Sequence, residues 1–353
     1  MAIVCPEFVQ NESLSMTATL KDVAELAGVH PSTVSRVLRR KESLTITEKT
    51  RKRIFKAAKQ LNYQPDQTAR ALRLKKSNTI GLIIPDISNP FFSQIARSIE
   101  IESYSSNYTL VVCNTNENQA KEIRYVHDLL SRGIDGLIIA PVQDKHDHIL
   151  ELQKKDFPFV LIDRAFNNID SNAVVSNNEQ ASYNAVAYLA KLGHRRIAFL
   201  SGRRNIYTIQ TRLKGYNKAI KDFNLYSDPE LIVGDGFTFE SGYEATLALM
   251  NLSKPPTAIL ISGNIITIGS IKAILERGYS IPNDFSIVGF TDTILSPYLI
   301  CPLTTVSHPL KEMGQKAFSL LLKHIETKEN LPKSKIVVTA TLDIRKSTAP
   351  LPN

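Results

Sequence analysis

The chain has 353 residues, 43% apolar and 22% charged, with a formal net charge of +9 and three cysteines. That length exceeds what one hydrophobic core usually organises, and the composition excludes a disordered, fibrous or disulfide-stapled protein. The longest apolar runs, such as Ile134–Val142 and Ala258–Ser262, are strand-length, far below the roughly 20 residues of a bilayer-spanning helix.

No basic and apolar leader opens the sequence, so a cytoplasmic protein of two or three domains is the expectation. Cys5, Cys113 and Cys301 lie far apart without Cys-x-x-Cys spacing and read as inert thiols. Charge becomes informative once localised. Between Thr19 and Lys76 stand 15 Lys or Arg against 5 Asp or Glu, a net +10 where the whole chain carries +9. A basic module on a near-neutral body suits a polyanion binder, although a basic run can equally be a solvated face.

In chain order, residues 1–18 are an unpatterned tail, expected to be disordered, and Met16 is an alternative start. Leu20, Val23, Ala24 and Ala27 then repeat with helical spacing, and Gly28 stops that helix. A second short helix begins with Pro31 and runs through Val34, Val37 and Leu38. A third follows Thr47 as N-cap and sets Ile54, Ala58 and Leu61 on one side. These three helices make a small domain over 19–64. Residues 65–76 read as a basic hinge or linker, and 77–353 as the body.

In the body, apolar runs alternate with amphipathic stretches: Thr79–Pro85, Tyr108–Asn114, Gly136–Pro141, Phe159–Asp163, Arg196–Gly202, Ala258–Gly263 and Phe285–Phe290. Continuous apolar strands separated by helices imply parallel sheets covered on both faces. Their number implies two similar α/β lobes with a ligand cleft at the strand ends.

"TLKDVAELAGVHPSTVSRVL" (Thr19–Leu38) is the strongest signal, a helix-turn-helix whose second helix exposes His30, Pro31, Ser32, Thr33, Ser35 and Arg36. The string resembles the start of the LacI/GalR repressor family, and the resemblance runs from about Thr19 to Thr348. "YQPDQTARALR", "DISNPFF", "LGHRRIAFLSG", "RLKGY", "GYSIPNDFSIVGF" and "PLTTVSHP" match that family in order. The resemblance implies a helix-turn-helix headpiece, a hinge helix, and a periplasmic-binding-protein-like core of two doubly wound parallel-sheet lobes. Its three crossings would fall near Asn177, Ser307 and Ile336, giving one lobe 77–177 and 308–335 and the other 178–307 and 336–348.

By the same resemblance, operator DNA would meet Thr19, Lys21, His30, Pro31, Ser32, Thr33, Ser35, Arg36 and Tyr63. The hinge would add Ala69, Arg70, Leu72 and Arg73, with Leu72 as a minor-groove wedge. A sugar or related effector would bind between the lobes at Phe91, Phe92, Asp163, Arg212, Phe237 and Thr291. Many sugar-responsive members carry Asn-Asp where this chain has Gly263-Asn264, and Asp where it has Thr291; the effector is thus left open among an unusual sugar, a nucleoside, a phosphorylated metabolite and no tight ligand at all. A homodimer on a pseudopalindromic duplex is implied, without cofactor, metal or membrane.

Two rival classes have less support. No Walker loop, nucleophile elbow or zincin motif speaks for an enzyme, and Asp163 and Asp292 are not brought together by any spacing. Asp144, His146, Asp147 and His148 read as a solvated loop rather than a metal cluster. A transport-type solute binder would have an export signal and no basic headpiece.

Overall fold

The computed structural model describes residues 18–38, 46–63, 76–142, 145–166, 169–299, 301–327 and 332–351. The chain divides into two compact units, residues 1–75 and 76–353. Residues 1–17 of the proposed tail and the hinge residues Ala69, Arg70, Leu72 and Arg73 lie outside the described residues.

In the first unit, α1 (Leu20–Leu26) starts from a capping box. The Thr19 side chain accepts from Asp22 N, and the Asp22 carboxylate accepts from Thr19 N at 2.7 Å. Gly28 ends the helix with φ +61°, a left-handed conformation that costs glycine little. α2 (Pro31–Leu38) and α3 (Glu48–Gln60) complete the unit, and the Thr47 side chain accepts from Thr50 N to cap α3. Val23, Ala24, Val34, Val37, Ile54 and Ala57 bury together as its core. At about 1.5–3 kcal/mol per buried aliphatic side chain, three such short helices hold each other where none would persist alone.

The second unit contains two six-stranded sheets. One holds β1 (Thr79–Ile84), β2 (Thr109–Asn114), β3 (Gly136–Ile139), β4 (Phe159–Ile162), β5 (Ala173–Ser176) and β11 (Lys335–Val338), all parallel, in the order β11-β5-β4-β3-β1-β2. The other holds β6 (Ile197–Leu200), β7 (Ile232–Val233), β8 (Ala258–Ile261), β9 (Ser286–Phe290), β10 (Thr304–Ser307) and β12 (Thr341–Asp343), in the order β12-β10-β9-β8-β6-β7. Central strands such as Phe159–Ile162 and Ala258–Ile261 are buried at every residue, because helices cover both sheet faces.

On the first sheet, α4 (Pro90–Ser105) and α11 (Leu310–Glu326) share one core, while α5 (Gln119–Ser131) and α6 (Asp147–Lys154) pack on another. On the second sheet, α7 (Asn178–Lys191) and α8 (Tyr207–Asp222) share a core, with α9 (Phe239–Met250) and α10 (Asn264–Glu276) opposite.

Two details differ from the sequence reading. The third crossing falls after Val338 rather than near Ile336, since Ile336 still pairs with Val174 in the first sheet. The second sheet is not wholly parallel, because β12 runs antiparallel to β10 at its edge. The Asn177 side chain helps fix the crossings by accepting from Ala340 N at 2.8 Å.

Candidate nucleic-acid interface and effector cleft

Burial divides α2. Val34 and Val37 enter the headpiece core, which leaves Ser32 and Arg36 exposed and Pro31, Thr33 and Ser35 half-buried. His30 is exposed and caps the helix: its Nδ1 accepts from Ser32 N at 3.2 Å and lies 2.8 Å from Ser32 Oγ. That arrangement assigns the proton to Nε2, which is left to donate outward. Lys21 is exposed on α1, Thr19 is engaged in its cap, and Tyr63 is half-buried against the headpiece core. The arrangement presents an exposed Arg and small hydroxyl groups on a helix narrow enough for a major groove.

A cavity of about 560 Å³ lies between the lobes of the second unit. Phe91, Phe92, Asp163, Arg212, Phe237 and Thr291 all line it. They converge because all but Arg212, which lies in the second turn of α8, follow the carboxyl end of a strand or open the next helix, where a parallel sheet leaves a crevice. The chain turns sharply there: Asp163 and Thr291 have φ of 63° and 74°, a conformation uncommon for non-glycine residues. Asp163 N donates to Val174 O and Thr291 N to Val306 O, both at 2.9 Å, so the surrounding sheets hold these turns.

Arg212 is buried. Its Nε donates to Asn178 Oδ1 at 2.8 Å, its Nη1 to Ser262 O at 2.7 Å, and its guanidinium lies 4.2 Å from the centre of the Phe290 ring. Burial pulls its pKa down to about 10, partly offset by the charge of Asp163. Burial also raises the Asp163 pKa, against the pull of Arg164 and Arg212. Asp163 Oδ1 and Ser262 Oγ are buried without a hydrogen-bond partner, as is Arg164 Nε. Leaving such an atom without a hydrogen bond costs about 1–3 kcal/mol, and Arg164 Nε keeps the Asp163 carboxylate at 3.9 Å.

The sequence reading missed the residues that span the cleft. Arg164 pairs with Glu117 through Nη1–Oε2 at 2.9 Å and Nη2–Oε1 at 2.5 Å. Its guanidinium lies 5.9 Å from the Phe92 ring of one lobe and 5.7 Å from the Phe237 ring of the other. Arg203 Nη1 reaches Glu117 O at 3.4 Å, and Asn264 Nδ2 donates to Asn89 Oδ1 at 2.8 Å. The Asp-Arg step at a strand end was the available signal, because two adjacent charges cannot both leave a buried turn without partners.

The other flagged groups go elsewhere. Asp292 is bound by Arg345 at 2.8–2.9 Å and does not line the cavity. Burial would raise its pKa, but the Arg345 and Thr305 hydrogen bonds hold it below the usual value. His148 corrects the solvated-loop reading: it is buried, with Nε2 at 2.7 Å from Glu122 Oε1. Asp144 lies outside the described residues. Among the described residues no cluster of His, Cys, Asp or Glu could hold a metal ion, and no helix is long and apolar enough to cross a membrane.

A helix-turn-helix unit followed by a two-lobed α/β unit with a polar, aromatic-walled cleft defines the class of ligand-responsive DNA-binding regulators. Comparison with known proteins agrees. Residues 19–66 match the profile of bacterial regulatory proteins of the lacI family, and residues 77–346 match that of periplasmic binding proteins and the sugar-binding domain of the LacI family. The chain belongs to the LacI family of bacterial transcriptional regulators.

Among its relatives, catabolite control protein A of Priestia megaterium is 34% identical over 334 residues, covering 94% of this chain and all of that protein. The transcriptional repressor CytR of Escherichia coli K12 is 32% identical over 335 residues, covering 95% and 97%. The structure of the lac repressor dimer bound to operator and an anti-inducer aligns with a TM-score of 0.83 at 28% identity, covering 94% and 99%. A LacI-family regulator from Enterococcus faecium with bound ribose aligns with a TM-score of 0.71 at 32% identity, covering 78% and 100%.

Proposed function

We propose that this chain is a cytoplasmic, non-catalytic repressor that binds a pseudopalindromic operator as a homodimer and changes its operator affinity when a sugar or related metabolite fills the cleft. The observation that carries the effector half is the convergence of Asp163, Arg164, Arg212 and the rings of Phe91, Phe92 and Phe237 on one interlobe cavity. The relatives support both halves: one was solved with ribose and another as a dimer on its operator.

In the DNA-bound state, Arg36, Ser32 and Pro31 meet base edges in the major groove, while Thr33, Ser35, Tyr63, Thr19 and Lys21 position the phosphate backbone. One headpiece reads one half-site, so two copies read the whole operator. The hinge residues Ala69, Arg70, Leu72 and Arg73 enter by family resemblance alone. The effector stacks on Phe91, Phe92 or Phe237 and bonds to Asp163 and Arg212, with Thr291 beside it. It acts on DNA only through a difference in its affinity for the two lobe arrangements.

The test is a thermal-shift screen of sugars, nucleosides and phosphorylated metabolites on the purified chain, followed by operator binding with any hit. A hit must raise the melting temperature by mass action and alter operator affinity. Absence of any hit across the panel would contradict the effector half.

A further inference from the structure

Every backbone donor at the start of α2 already has an internal partner. Pro31 has no N–H, Ser32 N donates to His30 Nδ1 at 3.2 Å, and Thr33 N and Val34 N donate to His30 O at 2.8 and 3.4 Å. No amide at this end is left over for a phosphate. What the helix offers outward is therefore carried by side chains, and the exposed ones on α2 are Ser32 and Arg36, with His30 just before them. Ser32 and Arg36 stand four residues apart and share one stripe, away from Val34 and Val37 in the core.

The His30 ring decides what Ser32 can present. A serine hydroxyl ordinarily donates or accepts, so it tolerates either kind of base edge. Here Nδ1 receives the Ser32 N–H and so carries no proton, and Ser32 Oγ, 2.8 Å away, turns its own hydrogen towards the ring. The other tautomer would set a proton on Nδ1 against the Ser32 amide proton. With its hydrogen committed, Oγ keeps only lone pairs for a further partner. Arg36, one turn along the same stripe, has donors only. The stripe thus presents an acceptor followed by donors. In the major groove, adenine and cytosine offer exocyclic amino donors, whereas guanine and thymine offer carbonyl acceptors.

We propose that His30 fixes Ser32 as a hydrogen-bond acceptor, so that Ser32 reads the exocyclic amino group of an adenine or a cytosine in the operator and disfavours guanine or thymine there. His30 acts through Ser32 and is a positioning residue. The proposal rests on the operator reading above and adds the polarity of one contact.

Operator binding by the full chain tests it, on a duplex selected from a random pool and on its single-base variants. Ser32→Ala flattens selectivity at one position of each half-site and so locates the base. At that position the wild type prefers adenine or cytosine over guanine and thymine by at least about fivefold. Unsubstituted purine in place of adenine, or pyrimidin-2-one in place of cytosine, deletes the amino group and tells the two bases apart. The deletion weakens the wild type about three- to tenfold and leaves Ser32→Ala unaffected. His30→Ser keeps a helix-capping hydroxyl but frees the Ser32 hydrogen, and brings the preference at that position to about twofold or less. In the Ser32→Ala background the same change leaves that position as it was. The proposal is overturned by selection of guanine or thymine at the Ser32 position, by indifference to amino deletion, or by an unchanged base profile in His30→Ser. A loss spread evenly over all positions in His30→Ser overturns it too, since a capping or phosphate role alone gives that result. If Ser32→Ala flattens no position, the proposal fails while operator reading stands. Failure to select any duplex would overturn the operator reading itself, and this proposal with it.

Discussion

Asn264 on one lobe donates its Nδ2 to Oδ1 of Asn89 on the other at 2.8 Å, and so joins the first turns of two helices that face each other across the cleft. Asn89 Oδ1 also accepts from Phe91 N at 3.0 Å, so the latch and the aromatic wall share one atom. Asn264→Ala removes a donor and leaves the cap intact. It is expected to destabilise the free protein by about 1 kcal/mol and loosen the cleft. Denaturant melts and amide exchange at Phe91 measure both effects, and unchanged exchange would show that the latch is not closed in solution.

Arg36→Ala tests the DNA-reading helix. Loss of one base contact costs about 1–3 kcal/mol of operator affinity and relaxes selectivity at one position of each half-site. Competition binding against single-base operator variants reads this directly. A uniform loss across all variants would instead make Arg36 a phosphate contact.

Gly202→Ala isolates the aromatic wall. A Cβ at Gly202 would overlap the Phe237 ring and force it to move. Effector affinity is expected to fall about tenfold or more while operator affinity without effector stays at the wild-type value. Parallel titrations of small molecule and operator on one preparation separate the two effects.

His308 makes a prediction about pH. Its Nε2 is buried and its Nδ1 lies 3.0 Å from Ser176 Oγ, near the crossing between β10 and α11. Burial, with Arg212 nearby, lowers its pKa from 6.5 to about 3. A histidine whose folded pKa is depressed takes up its proton in the unfolded chain first. The stability it contributes is therefore complete above pH 6.5 and lost as pH falls towards 3. His308→Gln should flatten the acid limb of a melting-temperature profile across that window. An identical acid limb in both proteins would mean that other groups drive the loss.

Much of this architecture could be read before the structure, for physical reasons that also explain the gaps. Six of the seven apolar runs became central strands, because a parallel strand buried on both faces must be apolar throughout, and the seventh became the partly exposed edge strand Thr109–Asn114. Short or half-exposed strands such as Ile232–Val233 and Lys335–Val338 lack that signature and passed unnoticed. The six cleft residues came from family resemblance, and the structure brings all six to one cavity. The pairings of Arg164 with Glu117 and of Asn264 with Asn89 were not legible, because the partners lie 47 and 175 residues apart and periodicity carries no trace of such pairs. His148 was misjudged because a charged neighbourhood in sequence can still place one ring against a buried Glu122.

The most direct test selects a preferred duplex from a random pool, then measures its affinity at fixed salt with and without the small molecule that most stabilises the protein. The account predicts a selected palindromic site whose affinity shifts about 5- to 150-fold on adding that molecule, with the shift abolished in Arg212→Ala and binding without the molecule retained. A protein that selects no duplex, or whose operator affinity is the same with the cleft filled and empty, would contradict it.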